Sequence, residues 1–224
     1  MSLNKQSGNM YPWITHTWNP IRGKCPHDCS YCFMKQFCVG HLRFEKDELQ
    51  TDLGSGNIIF VGSSCDMFAK KVLDDWIEAV IEKCNQHKNR YLFQSKNPQR
   101  MGEYIMSIQK NSILGTTLES NRSYEISKAP SITDRVKGIK SFSESIDFDV
   151  MISIEPLLDF DLQPFVDMIK SIEPSFVSVG ADSKNHHLPE PDSRKTRLLI
   201  NTLKEFTEVK IKDNLMRILR GIYE

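Results

Sequence analysis

Asn57-Ile58-Ile59-Phe60-Val61-Gly62-Ser63-Ser64-Cys65-Asp66 runs from large apolar residues straight into a small polar turn. Four consecutive bulky side chains, Ile58 to Val61, leave no face for water. That pattern belongs to a strand covered on both sides, as in a parallel sheet. Short β-rich runs recur at 14–18, 91–95, 113–117, 150–154 and 176–179, several of them nearly continuously apolar, with a weaker one at 209–211. Between the runs the period changes. Leu73, Trp76, Ile77, Val80 and Ile81 fall at helical spacing, and Asp74 and Asp75 suit the positive end of that helix. Helical patterns also cover 98–109, 132–143, 162–172, 193–206 and 214–221. Strands alternating with helices imply parallel pairing through right-handed crossovers. The expected fold is therefore α/β, an open parallel (β/α)6 partial TIM barrel, with residues 1–224 as a single domain.

Composition agrees with one globular unit. The chain has 224 residues, 39% hydrophobic and 26% charged, with its Gly and Pro scattered, and α/β barrels reach this size as one domain. Lys plus Arg and Asp plus Glu stand at 29 each, so no global positive field announces non-specific nucleic-acid binding. The charged stretches at 83–90 and 194–204 read as solvated faces. No apolar run approaches the roughly 18 to 20 residues that cross a bilayer. Met1-Ser2-Leu3-Asn4-Lys5-Gln6 carries no apolar signal region, so the expected setting is the cytoplasm, with reduced thiols.

In a parallel barrel the chemistry gathers where strands end, because the loops there converge on one mouth. Read to their ends, the runs lead to the loop after 14–18, then Gly62-Ser63-Ser64-Cys65-Asp66, Ser95-Lys96-Asn97, Glu119-Ser120-Asn121, Glu155 and Gly180-Ala181-Asp182. Any one of these could be a helix cap or turn. Six polar ends in register argue for a site. Lys212 and Asp213, after the weak seventh run, stand where they would close its far side.

The loop after 14–18 contains Cys25-Pro26-His27-Asp28-Cys29-Ser30-Tyr31-Cys32. With 6 Cys in the chain, a C-x3-C-x2-C triple arises by chance on the order of 0.004 times per chain. The spacing suits a cubane iron–sulfur cluster held at three corners with its fourth iron open. A structural zinc site is the alternative, but it wants four ligands, usually as two separated pairs. His27 sits too deep in the tight loop to complete it, which leaves His16, Cys38 or a distant residue. An odd local triple cannot pair internally as disulfides.

The cysteine triple, with aromatic Tyr31 just before its last member, resembles the cluster loop of radical S-adenosylmethionine enzymes. Thr17-Trp18-Asn19-Pro20, Phe60-Val61-Gly62-Ser63 with Asp66 and Phe68, Gly115-Thr116-Thr117-Leu118-Glu119 and Ile154-Glu155-Pro156-Leu157-Leu158 are similar to a phage-associated branch of that superfamily, over roughly residues 13–215. The resemblance implies a partial barrel with a 4Fe–4S cluster on Cys25, Cys29 and Cys32. It implies binding of S-adenosylmethionine through its amino nitrogen and carboxylate, reductive cleavage to a 5′-deoxyadenosyl radical, and an electron donor of flavodoxin or ferredoxin type. Gly62, Ser63 and Ser64 would receive the cofactor's ammonium, although Gly-Ser-Ser replaces the superfamily's two glycines and glutamate. Ser95 and Glu119 would serve the ribose hydroxyls, Lys96 the methionyl carboxylate, and Tyr31 the adenine, unless Tyr31 only packs locally.

Glu155 and Asp182 lie farther round and are the candidates for catalytic contact with substrate, as hydrogen-bond acceptors or in proton transfer. Cys84 reads as a small core residue. Cys65 sits at the mouth without a visible base, and Cys38 reads as a bystander. The expected function is hydrogen abstraction in the modification of a nucleotide or nucleic-acid base. A peptide or small-metabolite substrate, or a non-catalytic metal-binding interaction protein, are the alternatives.

Overall fold

The computed structural model describes residues 3–143 and 148–221. Its main sheet joins eight strands: β1 (Asn4–Lys5), β2 (His16–Trp18), β5 (Ile58–Val61), β6 (Arg90–Gln94), β7 (Ile113–Thr117), β8 (Asp149–Ile154), β9 (Phe176–Val179) and β10 (Glu208–Ile211), in that spatial order. β1 pairs antiparallel with β2, and every other neighbouring pair is parallel. A separate ribbon, β3 (Ile21–Arg22) with β4 (Arg43–Phe44), interrupts the β2–β5 connection. The sheet thus has seven parallel strands, one more than the six expected, because the weak run at 209–211 is strand β10.

Helices α1 (Asp74–Asn85), α2 (Pro98–Gly102), α3 (Ile132–Ser143), α4 (Leu162–Lys170) and α5 (Ser193–Leu203) connect β5 to β10 in turn, and α6 (Met216–Leu219) follows. Two helical readings shorten. After α2 the chain turns through i→i+3 bonds, with Tyr104 N–H donating to Met101 O, Ile105 N–H to Gly102 O and Ser107 N–H to Tyr104 O. Beyond α2 the chain as far as Ser107 therefore winds tighter than an α-helix. The stretch at 214–221 divides into a 3-10 turn, Asp213–Leu215, and the four-residue α6.

Alternation along the strands divides the core. Ile59, Val61, Phe93, Leu114, Ile152, Val177 and Val179 face the helices, while Phe60, Leu92, Ile113, Met151 and Phe176 pack together on the concave face. The concave layer is covered by the chain's own beginning: Tyr11 and Ile14 are buried in it and Trp13 packs against it. Tyr11 stacks on Trp13 at 5.3 Å, and Trp13 meets Phe176 edge-on. Toward the strand ends the same face turns polar, through Gln94, Thr117, Ser153 and Glu155, and there a cavity opens.

Candidate functional site

Each cysteine of the triple opens a turn. Cys25 O accepts from Asp28 N–H (3.1 Å), Cys29 O from Cys32 N–H (3.2 Å) and Cys32 O from Lys35 N–H (3.0 Å). Asp28 takes a left-handed φ of 47° inside this winding. The loop is sewn to the segment after β7, since Ser30 N–H donates to Ile126 O (2.8 Å) and Lys128 N–H donates to His27 O (2.7 Å). All three thiols are free and line one cavity of about 520 Å³.

Asp66 ties the cysteine loop to two strand ends. Its carboxylate accepts from Phe68 N–H (3.0 Å), Ser95 Oγ (2.9 Å) and Lys96 N–H (2.8 Å), and His27 Nε2 lies 2.8 Å away. Burial raises the Asp66 carboxyl, but His27 and these donors outweigh it and hold it below its usual range. Burial would likewise depress His27, and the Asp66 charge raises it instead, so each group favours the charged form of the other. His27 therefore braces the loop. In the sequence His27 stands out only as a possible metal ligand, and Asp66 as a polar strand end that could equally be a cap.

Asn19 has a similar task. Its Oδ1 accepts from Ser64 N–H (2.9 Å) and Ser63 Oγ (3.1 Å), which fixes the turn after β5. Gly62 starts that turn at φ 77°, where a side chain would be strained, and a Cβ would meet Cys65 O at 3.0 Å. The Ser64 hydroxyl is buried on this wall with no hydrogen-bond partner. Cys65 lines the same wall. Its side chain beside the Cys25 thiol is the largest influence on Cys25, lowering it and raising Cys65 in turn. Burial pushes Cys29 and Cys32 up.

Ser95 and Lys96 line the cavity, whereas Glu119 stands behind them, 2% exposed. Its Oε1 accepts from Lys96 Nζ and the Tyr31 hydroxyl, and its Oε2 accepts from Arg135 Nη1 at 2.8 Å. Burial raises the Glu119 carboxyl, but Lys96 and Arg135 overcome this and lower it to about 2. The expectation of direct ribose contact through Glu119 thus meets a different geometry, an anion spent on two cations. Lys96 Nζ also sits 5.1 Å from the Tyr31 ring centroid, so Tyr31 is held at both its ring and its hydroxyl.

Glu155 lines the opposite wall. Oε2 accepts from Lys212 Nζ (2.7 Å), and Oε1 from Asn9 Nδ2 (2.9 Å) and Asn214 Nδ2 (3.0 Å). Gly180 leaves room for this cage, because a Cβ there would lie 2.9 Å from Glu155 Oε1. Below it the Tyr11 hydroxyl lies 2.9 Å from both Gln94 Oε1 and Ser153 Oγ, and Gln94 Nε2 donates to Thr117 Oγ1 (3.1 Å). Lys212 Nζ stands 4.7 Å from the Tyr11 ring centroid. Asp182 also borders the cavity, but its carboxylate accepts from Lys184 N–H, His186 N–H and His186 Nδ1 (2.6 Å), which folds the loop after β9. Burial raises Asp182 and His186 overrides it, leaving it lowered. Asn9, Tyr11 and Asn214 carried no signal in the sequence, since each is ordinary until the fold brings it to Glu155.

Among the described residues, no set of three or more His, Cys, Asp or Glu side chains is arranged to hold a single metal ion. His16 and Cys38, which would complete a zinc site, do not line the cavity. A cubane makes a different demand, one thiolate per iron at separate corners. Three free thiols spread over successive turns around one cavity fit it. The unpartnered Ser64 hydroxyl and the cations Lys96 and Lys212 on the walls fit a polar, charged companion ligand.

Residues 9–189 match the model of a family described as Protein of unknown function (DUF5131). The chain belongs to that family. No curated protein matches the sequence. Among solved structures the fold is similar to spore photoproduct lyase. A cysteine-to-serine mutant of that lyase superposes with a TM-score of 0.66 at 9% identity, covering 92% of this chain and 78% of the other. The lyase complexed with dinucleoside spore photoproduct gives 0.65 at 8% identity, over 92% and 78%. A double mutant with bound AdoMet and dinucleoside spore photoproduct gives 0.58 at 9% identity, over 92% and 66%. At such identities the likeness is one of fold. No helix among the described residues is long and apolar enough to cross a membrane.

Proposed function

We propose that this chain is a radical S-adenosylmethionine enzyme with a partial-barrel core, acting on a nucleotide or nucleic-acid base. The observation that carries the reading is the convergence of Cys25, Cys29 and Cys32 with the polar ends of the parallel strands on one cavity. The fold likeness to a lyase whose structures hold AdoMet and a dinucleoside supports both the cofactor and the substrate class.

When bound, a 4Fe–4S cluster with S-adenosylmethionine supplies one-electron cleavage of the sulfonium and a 5′-deoxyadenosyl radical for hydrogen abstraction, the electron coming from a flavodoxin- or ferredoxin-type donor. The protein's residues orient and enclose. Cys25, Cys29 and Cys32 hold three corners, braced through His27 on Asp66. Gly62, Ser63 and Ser64 present backbone and the unpartnered Ser64 hydroxyl to the ammonium group. Ser95 faces the ribose, and Lys96 the methionyl carboxylate as a point charge that Glu119 aims. Tyr31 borders the adenine. On the far wall Glu155 is the acceptor in its cage of donors, with Lys212 as the proton-bearing neighbour, and Asp182 shapes the loop that covers the substrate.

Reconstituted protein, given a strong reductant and S-adenosylmethionine without oxygen, is expected to form 5′-deoxyadenosine and methionine, slowly even without substrate. Ala at Cys25, Cys29 or Cys32 should abolish both the iron–sulfur absorption near roughly 400 nm expected of a thiolate-ligated cluster and the product. Cys38→Ala and Cys84→Ala should retain both. An intact cluster that never cleaves the cofactor would refute the enzymatic reading. A cluster lost with Cys38 but kept without Cys25 would refute the ligand set.

A further inference from the structure

Of the 12 phenylalanines of this chain, only Phe33, at 46%, and Phe37, at 59%, are exposed. Phe33 follows directly on Cys32 and opens a 3-10 turn (Phe33–Gln36) that buries none of its own residues, Phe37 comes just after that turn in extended backbone, and both border the cavity. Two aromatic rings left in water at the rim of a cavity mark an interaction surface rather than a packing accident. The facing wall is different in kind. It carries Lys184, whose ammonium makes no ion pair among the described residues, and His186. Deeper in, Gln94, Thr117 and Ser153 offer amide and hydroxyl groups.

That combination selects an occupant. An apolar protein surface would cover the rings but would bring nothing for Lys184 or the deeper polar wall. A polynucleotide single strand supplies each feature: π-faces that stack on Phe, phosphates for Lys184, and a base edge for the amide and hydroxyl groups below. We propose that Phe33 and Phe37 form a stacking platform for single-stranded nucleic acid, seating bases that flank the one inserted toward Glu155. This rests on the nucleic-acid reading above and narrows it, since a free nucleotide has no flanking base to stack.

The test is anaerobic fluorescence anisotropy on the cluster-loaded protein with a fluorescein-labelled single strand of about 12 nucleotides, DNA and RNA in separate titrations. Phe37→Ala and Phe33→Ala should each weaken binding by about 5- to 150-fold, the loss of one base–aromatic stack. Phe37→Tyr should restore it, and Met106→Ala, 94% exposed and away from the mouth, should leave it unchanged. Equal affinity for strand and mononucleotide, or strand binding indifferent to both Ala variants, would overturn the platform. So would self-association that these variants abolish with no strand bound, which would assign the rings to a second copy. Cofactor cleavage measured on the same preparation separates the outcomes: 5′-deoxyadenosine without strand binding refutes the platform alone, and its absence refutes the enzymatic reading.

Discussion

Glu119 is the buried counter-charge of both Lys96 and Arg135. Glu119→Gln keeps the shape and removes the charge, leaving two cations without it. The expected cost is about 3–5 kcal/mol near neutral pH, the usual penalty for breaking a buried pair from one side. Its pH dependence follows from a carboxyl at 4.5 ordinarily and about 2 when folded. A lowered folded value means the stabilisation is complete above 4.5, declines as pH falls below that, and is gone once pH passes below 2. Urea unfolding of both proteins across this range should show the difference between them closing with acid. A gap that stayed constant would mean that Glu119 contributes by packing. The sequence marked Lys96 and Glu119 as polar strand ends, and those survive as neighbours. Arg135 was invisible there, since a charge on an amphipathic helix normally faces water, and only its 5% exposed side chain in the fold reveals the partner.

The strands were legible because composition and burial agree: β7 and β9 are buried at every residue, with only Thr116, Thr117 and Ser178 as polar members of their runs. Tight turns were less legible, since the pattern at 98–109 is the same for a helix and for successive i→i+3 turns. Strand ends carry a sharper constraint. Gly180, just beyond β9, touches the cage around Glu155, and an added Cβ would lie 2.9 Å from the carboxylate and 3.0 Å from Asn214 Oδ1. Gly180→Ala must therefore push Glu155 off Asn214 or bend the strand end. We expect a loss of about 1–3 kcal/mol, typical of overpacking, read as a lower thermal midpoint. A midpoint equal to the parent protein's would show that the cage yields freely and that its geometry is not fixed by this contact.

Across the whole molecule, residues 7–14 lie on the face of the sheet turned away from the helices, and Tyr11 is 4% exposed there. Tyr11→Ala should cost about 3–5 kcal/mol, as for other buried aromatic truncations, and calorimetry would show it. A loss under about 1 kcal/mol would mean the segment only rests on the sheet, as expected for a surface substitution. Nothing local in residues 7–14 foretells this, because their partners are remote: Asn9 meets Glu155 across 146 positions and Ser183 across 174. The same wall needs Lys212 and Asn214. Residues 9–11 thus meet residues 212–214 only through contacts remote in sequence, and contacts of such separation form late and slowly. A fragment cut short of Asn214, or one lacking Asn9, therefore keeps the cysteine loop and loses the wall around Glu155, so neither half of the sheet owns the pocket alone.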